Sequence, residues 1–308
     1  MAYPKPLSAK SIDKMFSSWE PHVVKVLHTY YAAFANLYGS IQLKDAWKIF
    51  KRFEPKIHKK QFVEFSSIVR REDVHYCIFE IDELYCDERR NENERFIVNK
   101  ELIADGYGKY GRVYKLHELQ IGKPYYNKPD LLEVAKHRNY DKELGQFVNK
   151  MIFTEGEQKG KRFDEAVFLT KEEEFIIGYY KSETKKQKIK ERALIPFSEK
   201  LIKYLQSAVE FADNPIVSIS KYLEDVGYIF ESKKQAVKFF KMLADYMNNS
   251  HLWRNGGFTP YELRSMAEPG LPKTISLGPG IKKAIEEGQL NRDEIYAKFK
   301  EMGIDVVN

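Results

Sequence analysis

Residues 245–263 carry the densest run of side chains suited to holding a ligand: Asn248, Asn249, Ser250, His251, Trp253, Arg254 and Asn255, followed by Gly256, Gly257, Thr259, Pro260 and Glu262. An asparagine amide offers both donor and acceptor, and an indole offers one donor beside a flat apolar face. Asn248, Trp253 and Asn255 are therefore a candidate ligand or partner patch. The same residue types also serve a purely architectural purpose. Short polar side chains end helices by competing for backbone hydrogen bonds, and paired glycines take conformations that a Cβ resists. Thr259 as N-cap, Pro260 in the first helical position and Glu262 at the third make a capping box. The stretch thus reads as a helix, a glycine turn and a new helix start, with Trp253 and Phe258 packed beneath the turn.

Other catalytic chemistries leave little trace. Seven histidines (22, 28, 58, 75, 117, 137 and 251) are scattered without metal-ligand spacing, and there is no H-E-x-x-H, G-x-S-x-G or Walker A segment. Cys77 and Cys86 lie near His75, but no second pair completes a tetrahedral centre. Gly106, Gly108, Gly111 and Val113 spell G-x-G-x-x-G-x-V, the glycine-rich loop that wraps phosphates in protein kinases. A kinase also needs a catalytic aspartate and Asp-Phe-Gly, and both are missing, since His137-Arg138 continues into Asn139. That stretch is expected to be a tyrosine-rich linker or turn. The run Glu172, Glu173, Glu174 reads as a solvated helix start. No catalytic residue, metal or cofactor is assigned, although a site assembled from distant residues stays open.

Charge is more informative. The net charge of +6 is modest for 308 residues, but it is unevenly spread. Residues 40–71 hold nine Lys or Arg against three acids, and residues 72–106 hold eleven acids against four bases. Lys44, Lys48, Lys51, Arg52, Lys59 and Lys60 in the first segment are candidate phosphate contacts, as are Lys185, Lys186, Lys188 and Lys190 in a second basic tract at 181–203. The acidic segment complicates this, because it would be repelled by a nucleic-acid backbone. A protein-interaction module whose basic helices pair with their own acidic hairpin fits the first segment at least as well, and a solvated helix face or loop accounts for the second.

The elements that position these residues follow from periodicity. Helices are expected at 7–20, 22–38, 43–53 and 58–69, with Gly39-Ser40 ending the second and Pro55 breaking the third. Strands are expected at 75–81, around 84–86 and at 95–99. Two short helices followed by a hairpin suggest a winged-helix-like layout. Further helices are expected at 130–136, 142–153, 163–169, 172–180, 197–212 from Pro196, around 219–226, at 232–249, and as a small pair at 281–287 and 292–302. A lysine-rich connector is expected at 181–190 and a Pro/Gly connector at 269–280.

The pattern Asn-Asn-x-x-x-Trp-x-Asn-x-Gly-x-Thr-Pro-x-Glu-Leu, from Asn248 to Leu263, resembles that of uncharacterised bacterial proteins, many of which carry a SEC-C zinc motif. Residues 57–62, 76–79 and 126–132 are similar to further pieces of that family, so the resemblance extends over roughly residues 40–265. It implies a fold and no activity. The chain departs from it in lacking the zinc tail, since no cysteine follows Cys86. Integrase-type transposases share about a dozen residues of the same stretch, but no strand run precedes it to carry their acidic residues.

These readings give a mainly α protein with a small β hairpin: a winged-helix-like N-terminal module with an acidic hairpin at 1–120, a helical body at 121–268 and a short helical tail at 269–308. Few cysteines, no signal-type core and no long apolar window point to a reduced, cytoplasmic, soluble chain away from membranes. The leading expectation is a non-enzymatic bacterial binding protein, conceivably mobile-element encoded, that holds an anionic macromolecule such as nucleic acid or a protein partner. The alternatives are a hydrolase or transferase with a site near Asn248, Trp253 and Asn255, and a purely protein-binding adaptor.

Overall fold

The computed structural model describes residues 3–85, 91–103, 110–137, 140–142, 144–147, 163–186, 191–225, 228–267, 274–301 and 305–307. They are mainly helical, with a small antiparallel sheet. The chain forms two compact units, Met1–Pro260 and Tyr261–Asn308.

The first unit begins with α1 (Ala9–Phe16), α2 (Pro21–Tyr38), β1 (Ser40–Gln42), α3 (Leu43–Phe53) and α4 (Lys59–Val69), followed by β2 (Tyr76–Phe79), α5 (Ile81–Leu84) and β3 (Phe96–Asn99). The strands expected at 75–81 and 95–99 form and gain a partner at 40–42. β3 is central, pairing antiparallel with β1 (Ile41 opposite Ile97) and with β2 (Ile78 opposite Ile97). Residues near 84 form the turn of helix α5 instead of a strand, because the Glu80 and Glu83 side chains cap it reciprocally. α2 is buried along most of its length, with Leu27, Tyr31, Phe34, Leu37 and Tyr38 sealed from solvent. Phe62 and Phe65 meet its Tyr31, and Phe50 packs on Phe62, as an aromatic core in which the Tyr31 hydroxyl donates to Phe62 O at 2.7 Å.

Next come α6 (Gly111–Gln120), α7 (Leu131–Val134), β4 (Tyr140–Asp141), β5 (Gln146–Phe147) and α8 (Phe163–Ala166). The Gly106 and Gly108 positions lie outside the described residues, but Gly111 opens a helix and not a linker. Val113, Leu116 and Gln120 give that helix an inward face at helical spacing. In place of the helix expected at 142–153, Gln146–Phe147 pairs with Tyr140–Asp141 across Gly145, whose φ of +64° suits a tight reversal.

The helical body is α9 (Lys171–Lys186), α10 (Glu191–Phe211), α11 (Pro215–Asp225) and α12 (Lys233–Asn249). Its core joins Ile176, Ile177, Tyr180, Leu201, Leu205, Val209, Ile219, Leu223, Phe239, Leu243 and Tyr246. α12 starts where Ser232 caps Gln235 N–H, as the sequence suggests. Residues 181–186 extend α9 instead of forming a connector, and α10 starts five residues before Pro196. Glu173 is not solvated: it is fully buried, where its carboxylate takes hydrogen bonds from Gln206 Nε2 (2.9 Å), Tyr246 OH (3.3 Å) and Thr170 N–H (3.0 Å).

The second unit starts one residue into α13 (Pro260–Ala267) and holds β6 (Thr274–Ser276), α14 (Pro279–Glu286), α15 (Arg292–Glu301) and β7 (Asp305–Val307), with β6 and β7 paired in parallel. Among the described residues, no helix is long and apolar enough to cross a membrane.

Candidate nucleic-acid interface

α3 is strongly two-sided. Leu43, Ala46, Ile49 and Phe50 face the core, while Lys44, Lys48, Lys51 and Arg52 are exposed. α4 follows after the break at Pro55. Its first turn is held by Gln61, whose side chain accepts from His58 N–H at 3.1 Å. Ile57 and Phe62, the positions of a hydrophobic staple, are both buried and fix the entry angle of the chain. With those residues inward, Lys56, Lys59 and Lys60 point to solvent. Five cations, Lys51, Arg52, Lys56, Lys59 and Lys60, therefore crowd one short turn with Glu54 as the single acid within it. Lys48 pairs with Asp45 at 2.7 Å. Among the described residues, the other six cations of this face have no ion pair or hydrogen bond.

The acidic segment has its own counterions. Arg70 lies within 3.4 Å of Glu80 and also pairs with Glu83. Arg95 is buried and donates to Glu80 (2.8 Å), to Glu92 (3.2 Å), and to the Ser66 and Ser67 hydroxyls at 2.9 and 2.7 Å. Lys100 pairs with Asp73 at 2.8 Å. Among the described residues, Glu80, Glu83 and Glu92 of the β2–β3 connection thus pair with Arg70 and Arg95 at the C-terminal end of α4, not with the lysines of its first turn. Leu43 N–H donates to Arg95 O (2.7 Å), which sets the start of α3 against the return of that connection. Eleven residues at 1.5 Å rise carry the far end of α3 about 15 Å away. This exceeds the screening length of about 8 Å at physiological salt.

The second basic tract is placed differently. Lys185 and Lys186 fall in the last turn of α9, and Lys188 and Lys190 lie outside the described residues.

The Trp253 corner is spent internally. Trp253 is buried, its indole N–H donates to Asn36 O (2.7 Å) and its backbone N–H to Glu210 (2.8 Å). Arg254 N–H adds a second bond to the same carboxylate at 2.9 Å. Gln120 Nε2 bridges Tyr38 O and Trp253 O at 2.9 and 2.8 Å. Asn255, also buried, accepts from Lys123 Nζ at 3.2 Å. Burial and the nearby Arg254 hold the Lys123 amine below the ordinary lysine value. Asn248 is half-buried on the last turn of α12, and Phe258 is buried as expected. The glycines are required. Gly39, at φ +69°, lies where a Cβ would meet the Trp253 ring at 2.7 Å, and a Cβ on Gly256, at φ +60°, would run into the Pro124 carbonyl. Glu210, Gln120, Lys123 and Asn36 were not foreseen from sequence. Each sits in a helix or loop of ordinary composition and acquires its role only through contacts distant in the chain.

Among the described residues, a nucleophile and a base approach each other at Ser40 Oγ, 2.7 Å from His117 Nε2, with Tyr85 OH on the other ring nitrogen. Ser40 is fully buried, and burial holds the His117 pKa at about 4. The pair ties β1 to α6, with the Ser40 hydroxyl buried beneath the half-buried His117 ring. Among the described residues, no group of three or more His, Cys, Asp or Glu is arranged to hold a metal ion.

Compared with known proteins, the chain matches no family model, no curated protein and no solved structure.

Proposed function

We propose that this chain is a non-enzymatic binding protein whose α3–α4 face holds nucleic acid. The observation that carries the reading is the set of exposed cations at the α3–α4 turn, which lack internal partners while Glu80, Glu83 and Glu92 of the acidic segment are committed to Arg70 and Arg95. The order α2–β1–α3–α4–β2–α5–β3, with the sheet ordered β1–β3–β2, supports a winged-helix-like module around them. In that arrangement the second helix of the pair stands outward on a rigid core, as a recognition element must. A cytoplasmic setting and kinship with the SEC-C-linked bacterial proteins belong to the same proposal.

The test is fluorescence anisotropy of labelled DNA and RNA at about 50 and 200 mM salt. Six unpaired cations engaging phosphates would weaken binding roughly a thousandfold across that range. Replacing Lys51, Arg52, Lys59 and Lys60 by glutamine should remove most of the affinity, whereas the pair Lys185→Gln and Lys186→Gln should change it less. Absence of binding at the lower salt, or affinity indifferent to salt, would sink the reading. A protein-binding adaptor is the second reading, favoured by the exposed acids Asp73 and Glu92 in the segments that lead into β2 and β3.

A further inference from the structure

Resting on that reading, we infer that the ligand is a B-form DNA duplex, with α4 lying in its major groove and the α3–α4 turn on its backbone.

The first ground is what the face lacks. Proteins that grip unpaired strands stack bases on exposed aromatic rings, worth about 1–3 kcal/mol per base. Every aromatic ring on α3 and α4 is buried or half-buried. Trp47 packs against Phe50 and Phe62, with ring centroids 6.0 and 5.5 Å apart, and Phe53 stacks on Tyr30 at 6.3 Å. These rings are committed to the core, which leaves the exposed His58 at the turn as a single ring where successive unpaired bases would need several.

The second ground is shape. α4 is eleven residues long, about 16 Å, and its outward face runs through the exposed Lys59, Lys60 and Glu64 with the half-buried Val63 and Ser67 between and beyond them, the Ser67 hydroxyl being held by Arg95. A convex helix of this length fits the major groove of B-form DNA, about 12 Å wide. The major groove of an A-form RNA duplex is deep and too narrow for it.

The third ground is Glu64, exposed in the middle of that face. On a surface meant only for phosphates it is a liability. Facing the floor of a major groove it becomes useful, because the cytosine amino group presents a donor there. The cations at the turn would then hold the backbone while Glu64 looks inward.

The experiment is a competition assay on the full chain, pre-bound to a labelled mixed-sequence DNA duplex at about 50 mM salt. The competitors are the same duplex unlabelled, an RNA duplex of equivalent sequence, and each single strand of DNA and RNA. The DNA duplex is expected to displace at a concentration about tenfold or more below the rest. Methylating guanine N7, which lies in the major groove, should weaken binding, and methylating adenine N3, in the minor groove, should not. An RNA duplex or a single strand that competes equally or better overturns the inference and leaves nucleic-acid binding standing. So does sensitivity to adenine N3 methylation alone. If the labelled duplex does not bind, both the inference and the reading beneath it fail.

Discussion

The corner around Trp253 and the turn between α3 and α4 are both rich in polar side chains, and they spend them in opposite ways. At the corner, Glu210, Gln120, Lys123 and Asn255 answer backbone groups or one another, and the indole N–H is answered by Asn36 O. At the turn, Lys51, Arg52, Lys56, Lys59 and Lys60 find no internal partner among the described residues. An unusual combination of residue types marks a place where packing is demanding. A plain run of lysines whose hydrogen-bonding capacity is left over marks a place where something else must bind. Distinctiveness and availability are separate properties, and binding follows the second.

Substitutions can press on this contrast from both sides. The largest effect is expected from Trp253→Ala, which empties a packed site and orphans Asn36 O. It should cost about 5 kcal/mol of stability in chemical denaturation. Gly256→Ala should cost about 3–4 kcal/mol, combining a left-handed backbone with a clash against the Pro124 carbonyl. If either variant retained full stability while losing nucleic-acid binding, the corner would be a ligand site after all.

Acid should act next, through histidines held neutral by burial. The pKa values of His75 and His117 are each pushed down to about 4 from an ordinary 6.5. Between those values the unfolded chain binds protons that the folded chain refuses. Stability is therefore full above about pH 6.5 and falls steadily as pH drops towards 4. Denaturant midpoints measured across that range should show the slope, and His75→Phe should reduce it if the fold is kept. The smallest effect on stability belongs to Lys59→Gln with Lys60→Gln. Two exposed side chains should shift it by no more than about 0.5 kcal/mol, while affinity for DNA falls several-fold and its salt dependence becomes shallower by about two units of slope.

Elements with local signatures were legible in the sequence. Gly39 ends α2, Ser232 caps α12, Pro260 opens α13, and the alternating faces of α3 and α4 are plain from their spacing. What escaped depends on distant partners. β1 is three residues long and exists because β3, more than fifty residues later, pairs with it. α6 was masked by a glycine pattern with a stronger association, although Val113, Leu116 and Gln120 already carried helical spacing. Glu173 stands in an acidic run that looks solvated, and Gln206 and Tyr246, the donors that allow its burial, arrive on later helices. At the interface, which lysines exist was legible. Which of them are unanswered was not, because that depends on the acids choosing Arg70 and Arg95.

The Trp253 indole also sets a timetable. It closes over Gly39 and takes the carbonyl of Asn36, groups made more than two hundred residues earlier. At a synthesis rate of about 5–20 residues per second, α2 and β1 wait roughly ten to forty seconds on the ribosome before their cover is made. During that interval the cleft that receives the ring is open, and the nascent chain depends on other apolar company. A fragment that stops after the basic helices would carry that unfinished surface permanently.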